Sequence, residues 1–187
     1  AEGRMALFDP IRDYFHRRQA KNLNEQASRV HLVNRRQESH RGNFVFPGTD
    51  FVDDIEVGGQ RVGYVSYGIN PLDDRVYINK IDIELQHQRQ GFGLGVLWCL
   101  WLKHQVPIVP LYQYGASNGF WSLARQRFLA AGALIEDQLR TDTELDAAKQ
   151  RWQHLVPELA HERQIREMMA SPDWPEIEAG FIARQKL

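Results

Sequence analysis

A single cysteine, Cys99, is all the sulfhydryl chemistry this 187-residue chain carries, which excludes an internal disulfide framework. No apolar stretch approaches the roughly 20 residues needed to cross a bilayer, and no signal-like apolar segment opens the sequence. Neither sign of charge is in surplus: 23 Lys and Arg stand against 24 Asp and Glu, a formal net charge of -1. A general attraction to nucleic acid or to anionic membrane is therefore not expected. The small basic clusters (Arg17, Arg18 and Lys21; Arg35, Arg36 and Arg41) read first as solvated surface. The seven histidines show no His-x3-His or Cys-His spacing, so no zinc site is expected. Repeats and low-complexity linkers are also missing. These absences leave a cytoplasmic globular protein as the default expectation.

What is present has the length and apolar content of one domain with a proper core. The opening Ala1-Glu2-Gly3-Arg4, ahead of Met5, reads as an expression remnant and is set aside. Asp9-Pro10 is a helix start, an N-cap carboxylate followed by proline at the first helical position, and the helix is expected to reach about Ala27. Val30 to Asn34 suits a short strand. In Gly42 to Asp54, extended structure is expected at Phe44, Phe46 and Phe51 around a Pro47-Gly48 turn. Asp54 to Val57, Gly58-Gly59 and Gln60 to Tyr67 form a hairpin pattern.

After the turn cluster Asn70 to Asp74, Arg75 to Leu85 reads as a strand. Simple alternation puts Val76, Ile78 and Lys80 on one face, and Tyr77, Asn79, Ile81, Ile83 and Leu85 on the other. Val96 to His104 is apolar nearly all round, a buried helix ended by Pro107. A short strand at Ile108 to Tyr112 follows, then a helix capped by Ser117 or Asn118 and running to Ala131. Leu134-Ile135 is expected as another brief strand. Beyond Asp142 the pattern is helical, with Leu145, Ala148, Trp152, Leu155 and Leu159 on one stripe, and Ser171 to Pro175 begins a last helix.

The informative feature is where three glycines sit. A long strand, a short polar connector and then Gln90-Gly91-Phe92-Gly93-Leu94-Gly95 lead into the helix. The first amides of a helix have no intrahelical partner and carry partial positive charge, so an anion such as a diphosphate fits there. Glycine at 91, 93 and 95 is expected to clear Cβ atoms from that approach, and Arg89 to add a charge-assisted contact. A nucleotide P-loop is excluded, because Val96-Leu97 follows Gly95 where Lys-Ser/Thr is needed. A dinucleotide fingerprint fails as well, because Val96 stands where its third glycine belongs.

Gln-x-x-Gly-x-Gly at a strand-to-helix junction resembles the acyl-CoA loop of the GNAT superfamily of N-acetyltransferases. The hairpin Gly59 to Val65, the strand Val76 to Leu85 and the helix Asn118 to Ala133 are similar to that family's second-to-third-strand hairpin, fourth strand and later helix. The resemblance spans about Asp54 to Leu134. It implies an α+β fold: a mixed, mostly antiparallel sheet with splayed central parallel strands, flanked by helices. Residues 5–140 would form the acyltransferase core and 141–187 a helical C-terminal extension packed on the same domain.

The resemblance further implies transfer of an acyl group from acetyl-CoA or another acyl-CoA to a primary amine by direct attack. The cofactor arm would lie against the main chain of Ile83 and Leu85, its diphosphate on Gln90, Gly91, Phe92, Gly93, Leu94 and Gly95 with Arg89, and Asn118 would touch the arm. Asp82, then Glu84, are the candidate bases; the alternative role for both is a solvated strand-edge charge. The family's usual tyrosine acid falls on Phe128, which has no proton to give, so Tyr114 or Tyr112 is the candidate acid, or the thiolate leaves unassisted. The acceptor would be a small molecule or a protein amine, and the tail beyond Asp142 offers a face for a homodimer. The other reading is an acyl-CoA-binding or interaction module of the same fold with weak or no turnover. Cys99, mid-helix among Leu97, Trp98, Leu100 and Trp101, reads as core, and His87 as an exposed loop residue that could reach a phosphate or act as base.

Overall fold

The computed structural model describes residues 10–186. Asp9, expected to cap the first helix, and the opening tetrapeptide lie outside the described residues. The first compact unit ends at Gln153 and the second begins at His154. In the first, α1 (Pro10–Arg29) precedes four antiparallel strands, β1 (His31–Glu38), β2 (Thr49–Val57), β3 (Gln60–Ile69) and β4 (Val76–Ile83). Then come α2 (Phe92–His104), a parallel β5 (Ile108–Pro110), α3 (Asn118–Ala130) and α4 (Asp142–Lys149). The sheet order is β1-β2-β3-β4-β5, an α+β architecture with one parallel pair at its edge.

The hairpin forms where Gly58-Gly59 invites it, both glycines at positive φ. Residues 41–48, by contrast, are turns rather than extended chain, so Phe44 and Phe46 stand outside any strand and β2 begins only at Thr49. The expected strand at Leu134-Ile135 is a single parallel bridge from Ile108 to Ile135, with a second from Leu111 to Leu139; this segment covers the outer edge of β5. Gln105, not Pro107, ends α2: it takes a left-handed conformation (φ 54°), and its amide and side chain bond the last carbonyls.

Strand β4 departs from simple alternation. Ser66 pairs with Lys80 but Tyr67 pairs with Ile78, so Asn79 is an extra residue, a β-bulge. The bulge inverts the phase. Ile81 and Ile83 therefore join Val76 and Ile78 against the main core, while Lys80 and Asp82 turn to the other face. The strand also stops at Ile83, and Leu85 lies in a 3-10 turn, largely exposed.

The main core lies between one sheet face and α1, α2 and α3, built on Leu23, Ile55, Val65, Leu97, Trp121 and Phe128. Phe128 is fully buried, its ring edge-on to Trp98 at 5.1 Å. Cys99 is half-buried and points its thiol at the Ala27 carbonyl, and burial raises its pKa. The opposite sheet face is closed by a smaller cluster in which Trp152 meets Phe44 and Tyr77. Helix α4, opened by a Thr141–Glu144 capping box, and the Arg151–Asp74 ion pair hold Trp152 there. Of the expected tail stripe, Trp152 is buried and Leu145 packs on it, whereas Leu155 and Leu159 stay exposed.

The second unit carries α5 (Ala160–Ala170) and α6 (Trp174–Gln185), with Glu158 bridged to Arg166 at 2.8 and 3.1 Å. Among the described residues no helix is long and apolar enough to cross a membrane.

One glycine tests the packing directly. A Cβ on Gly95 would sit 2.6 Å from the Gln26 carbonyl oxygen of α1 and 3.3 Å from the Ala27 amide nitrogen. In an open helix Gly→Ala stabilises by about 1 kcal/mol. Here backbone faces backbone, so we expect Gly95→Ala to destabilise by about 1–3 kcal/mol, the cost of overpacking. Chemical denaturation of the two proteins checks the sign.

Candidate functional site

The sheet opens between β4 and β5. The two strands pair only over Val76–Ile78 and Ile108–Pro110, and the last bond joins the Leu111 amide to the Ile78 carbonyl at 2.8 Å. Beyond it Tyr112 adopts a left-handed conformation (φ 52°) and gives its amide to the Leu139 carbonyl at 3.0 Å, on the far side of β5. The chain is thereby drawn away just where Asn79 bulges. Further along, the Glu84 amide bonds the Val62 carbonyl of β3 at 2.8 Å. On an antiparallel ladder the alternate residues, Ile83 and Ile81, then present their main-chain groups to the vacated side. Gln88 takes the Ile83 carbonyl through its side-chain amide at 2.8 Å.

A cavity of about 910 Å³ fills this opening. Its walls are β4 from Ile78 to Ile83, the loop into α2, the chain after β5 and the start of α3. At its mouth Gly91 takes positive φ (83°) as the N-cap of α2, and the first helical bond is the Gly95 amide to the Gly91 carbonyl at 3.0 Å. The amides of Phe92, Gly93 and Leu94 therefore have no acceptor among the described residues. The Arg29 guanidinium lies 4.8 Å from the Phe92 ring centre and donates to the Gln90 carbonyl at 3.3 Å, fixing the loop from α1.

The glycines serve packing more than approach. Cβ atoms at Gly91 and Gly95 would strike Gln26 of α1, and one at Gly93 would strike the Phe120 ring of α3. They let three helices close around the loop, which corrects the expectation that all three clear room for a ligand.

The lining is one-sided in charge. Lys80, Arg89 and Arg127 contribute to it, and no Asp or Glu does among the described residues. Asp82 is exposed and lies 3.8 Å from Lys80; Glu84 reaches Arg61 at 3.7 Å and His87 at 4.0 Å; neither lines the cavity. Of the other expected residues, Ile83, Arg89, Gly91, Phe92, Gly93, Leu94 and Tyr114 line it. Leu85, Gln90, Gly95 and Asn118 do not; Asn118 accepts from the Gln113 side chain at 2.6 Å, and Ser117 precedes α3 without a side-chain capping bond. His87 lines the cavity too, as do Gln26, Lys80 and Arg127, which no local motif marks. The Gln26 side-chain oxygen is buried beneath the loop without a partner among the described residues. No group of three metal-ligating side chains occurs among the described residues.

No protein-family model matches the chain, and neither a curated protein nor a solved structure shows significant similarity to it.

Free helix-mouth amides with an arginine in the same lining are the groups that an anion pairs with. Inorganic pyrophosphate at ten times its dissociation constant should stabilise the fold by about 1.4 kcal/mol. The thermal midpoint should rise, less so in high salt, and the amide resonances of Phe92, Gly93 and Leu94 should shift. Shifts confined to surface lysines would contradict this assignment.

Proposed function

We propose that the chain is a GNAT-type N-acyltransferase that moves an acyl group, acetyl by default, from acyl-CoA to a primary amine. The observation that carries this reading is the wedge between β4 and β5, with cations in its walls, three unpaired amides at its wide end and β4 main chain, met only by Gln88 at the Ile83 carbonyl among the described residues, along one side. Coenzyme A is an elongated ligand with a diphosphate at one end and an amide-containing arm at the other, and each part has a counterpart here. The Phe92, Gly93 and Leu94 amides with Arg89 suit the diphosphate. The main-chain groups of Ile81 and Ile83 suit the arm's amides, and Ile78, Leu111 and Phe120 supply apolar walls. The buried, unpartnered Gln26 oxygen under the loop adds an acceptor for a polar ligand group.

When bound, acyl-CoA supplies the activated thioester, so the chain needs no nucleophile of its own. The half-buried Cys99, its thiol pKa raised, accords with that. What the residues must provide is a place for the amine, a proton acceptor and a proton for the leaving sulfur. Tyr112 and Tyr114 both line the cavity with accessible side chains, and Tyr114 is the proposed acid. Phe128, at the position of the family's acid, is sealed in the core against Trp98. That burial favours a second reading, an acyl-CoA-binding module without efficient turnover.

Calorimetry with acetyl-CoA should give a dissociation constant between about 1 μM and 1 mM, the span of ordinary cosubstrates. No detectable binding at millimolar acetyl-CoA removes the proposal. With a panel of primary amines, CoA release should follow, and Tyr114→Phe should slow it by about 100-fold or more. Tight binding with no release from any amine would favour the module.

A further inference from the structure

A second hollow, of about 210 Å³, lies on the sheet between the end of β1, the turn at Asn43 and Phe44, and the start of β2. Asn79, the bulge residue of β4, lines both this hollow and the large cavity. Its place matters. The α2 mouth stands at the Ile83 end of the wedge, while the strands converge at Ile78. A cosubstrate anchored at the mouth and lying along β4 brings its reactive end to the convergence, beside Asn79.

One carboxylate of the hollow keeps an open valence. Glu38 is engaged by Arg36 at 3.7 Å and by His40 at 3.3 Å. Asp50 has one carboxylate oxygen, Oδ2, that is buried and has no hydrogen-bond partner among the described residues. Burial, with Glu38 adding to it, raises the Asp50 pKa; hydrogen bonds from the Asn79 and Asn43 side chains and the charge of His40 pull it down without cancelling the rise. A bare, buried carboxylate oxygen is costly unless a donor or a cation meets it. Phe44 and Phe51 also line the hollow and give it an apolar wall for an alkyl chain beside the carboxylate. The volume is below the roughly 300–1,000 Å³ of a pocket that engulfs a whole ligand. It fits an amine-bearing arm.

Resting on the acyltransferase reading, we propose that this hollow seats the acceptor's primary amine, and that Asp50, not Asp82 or Glu84, holds the amine and takes its proton. The bound ammonium gives one proton to the Asp50 carboxylate. The free amine then attacks the thioester carbonyl carbon: the C–N bond forms, the C–S bond breaks, and the amine's second displaced proton leaves with the sulfur as the thiol. Asp50 returns its proton to water, and the charges balance. The acceptor class is a small molecule or flexible side chain ending in an unbranched aminoalkyl group, with the rest of the acceptor outside the hollow.

The probes are acetyl-CoA with butylamine and with phenethylamine, each followed by calorimetry and by amine-dependent CoA release across pH. Wild-type kcat/KM should rise with pH through a limb displaced upward from that of an ordinary aspartate, as Asp50 loses its proton. Glu38, which raises the Asp50 pKa, and His40, which lowers it, are the charged neighbours that set where that limb falls; Arg36 pairs with Glu38 at 3.7 Å, and Lys149 lies 5.9 Å from the Phe44 ring. Asp50→Asn should keep acetyl-CoA affinity within about twofold, lose about 100-fold or more of kcat/KM and lose the limb. Retained acetyl-CoA binding also reports that the variant folds. Glu38→Gln, which leaves the Asp50 carboxylate in place, should raise KM for the amines several-fold with kcat little changed. Asp50→Asn with wild-type kcat/KM and an unmoved pH profile overturns the assignment while leaving the acyltransferase reading intact. So does a wild-type protein that binds acetyl-CoA but neither binds nor acylates either amine. Absence of acetyl-CoA binding in the wild type defeats the acyltransferase reading, and this inference with it.

Discussion

The parting of β4 from β5 is the constraint on which the rest of the molecule depends. Two neighbouring strands gain by continuing their ladder, so something must make separation cheaper than pairing. Three local features combine here. Asn79 adds a residue to β4 and breaks the ladder's rhythm. Tyr112 turns the other chain through a left-handed conformation. The segment around Leu139 then offers that chain replacement bonds on its outer edge, so its amide and the Pro110 carbonyl are satisfied elsewhere. The inner edge of β4 receives no such substitute except from Gln88, and it is left as a main-chain surface at the side of a cavity.

The charge distribution follows from this geometry more than from composition. The chain is nearly neutral, yet among the described residues the carboxylates stay out of the cavity lining while Lys80, Arg89 and Arg127 join it, because the nearby acids find partners outside. Asp82 lies beside Lys80, and Glu84 is shared between Arg61 and His87. The loop at the helix mouth is held from behind: Arg29 covers Phe92, and Gly91 and Gly95 admit Gln26 of α1. The first helix, which touches nothing chemical in sequence, thus places the amides that a ligand would meet.

Features governed by neighbours in sequence were legible before the structure. Gly58-Gly59 defines the hairpin, Gln90 to Gly95 opens α2, and the apolar run after Gly95 is a buried helix. Features that require two strands at once were not. Alternation along β4 assigns Ile81 and Ile83 to the wrong companions, because a bulge is a property of the Ser66–Lys80 and Tyr67–Ile78 pairs and has no local signature. Gln26 and Arg127 reach the cavity from helices far off in sequence. Trp152 fell on the right stripe, but its partners Phe44 and Tyr77 come from a turn and a strand, so the burial of that stripe ends where they end.

Two carboxylates three residues apart on β2 show how a structural acid is told from a chemical one. An odd spacing on a regular strand sends them to opposite faces. Asp53 faces the main core and is saturated: the Tyr67 hydroxyl donates to it at 2.8 Å and the Asn34 amide at 2.9 Å, tying β1, β2 and β3 together. Burial and that acceptor raise the Tyr67 pKa, so the phenol remains a donor at any ordinary pH. Asp50 faces the other way, onto Gly68 and Val45, where a side chain at 68 would collide with it. Its second oxygen meets no donor. The same residue type, desolvated in both places, is stabilising where its valences are filled and costly where one is left open. Folding alone would favour filling or removing the second group. An unfilled valence beside the bulge residue that borders the cavity is what an arriving ammonium completes.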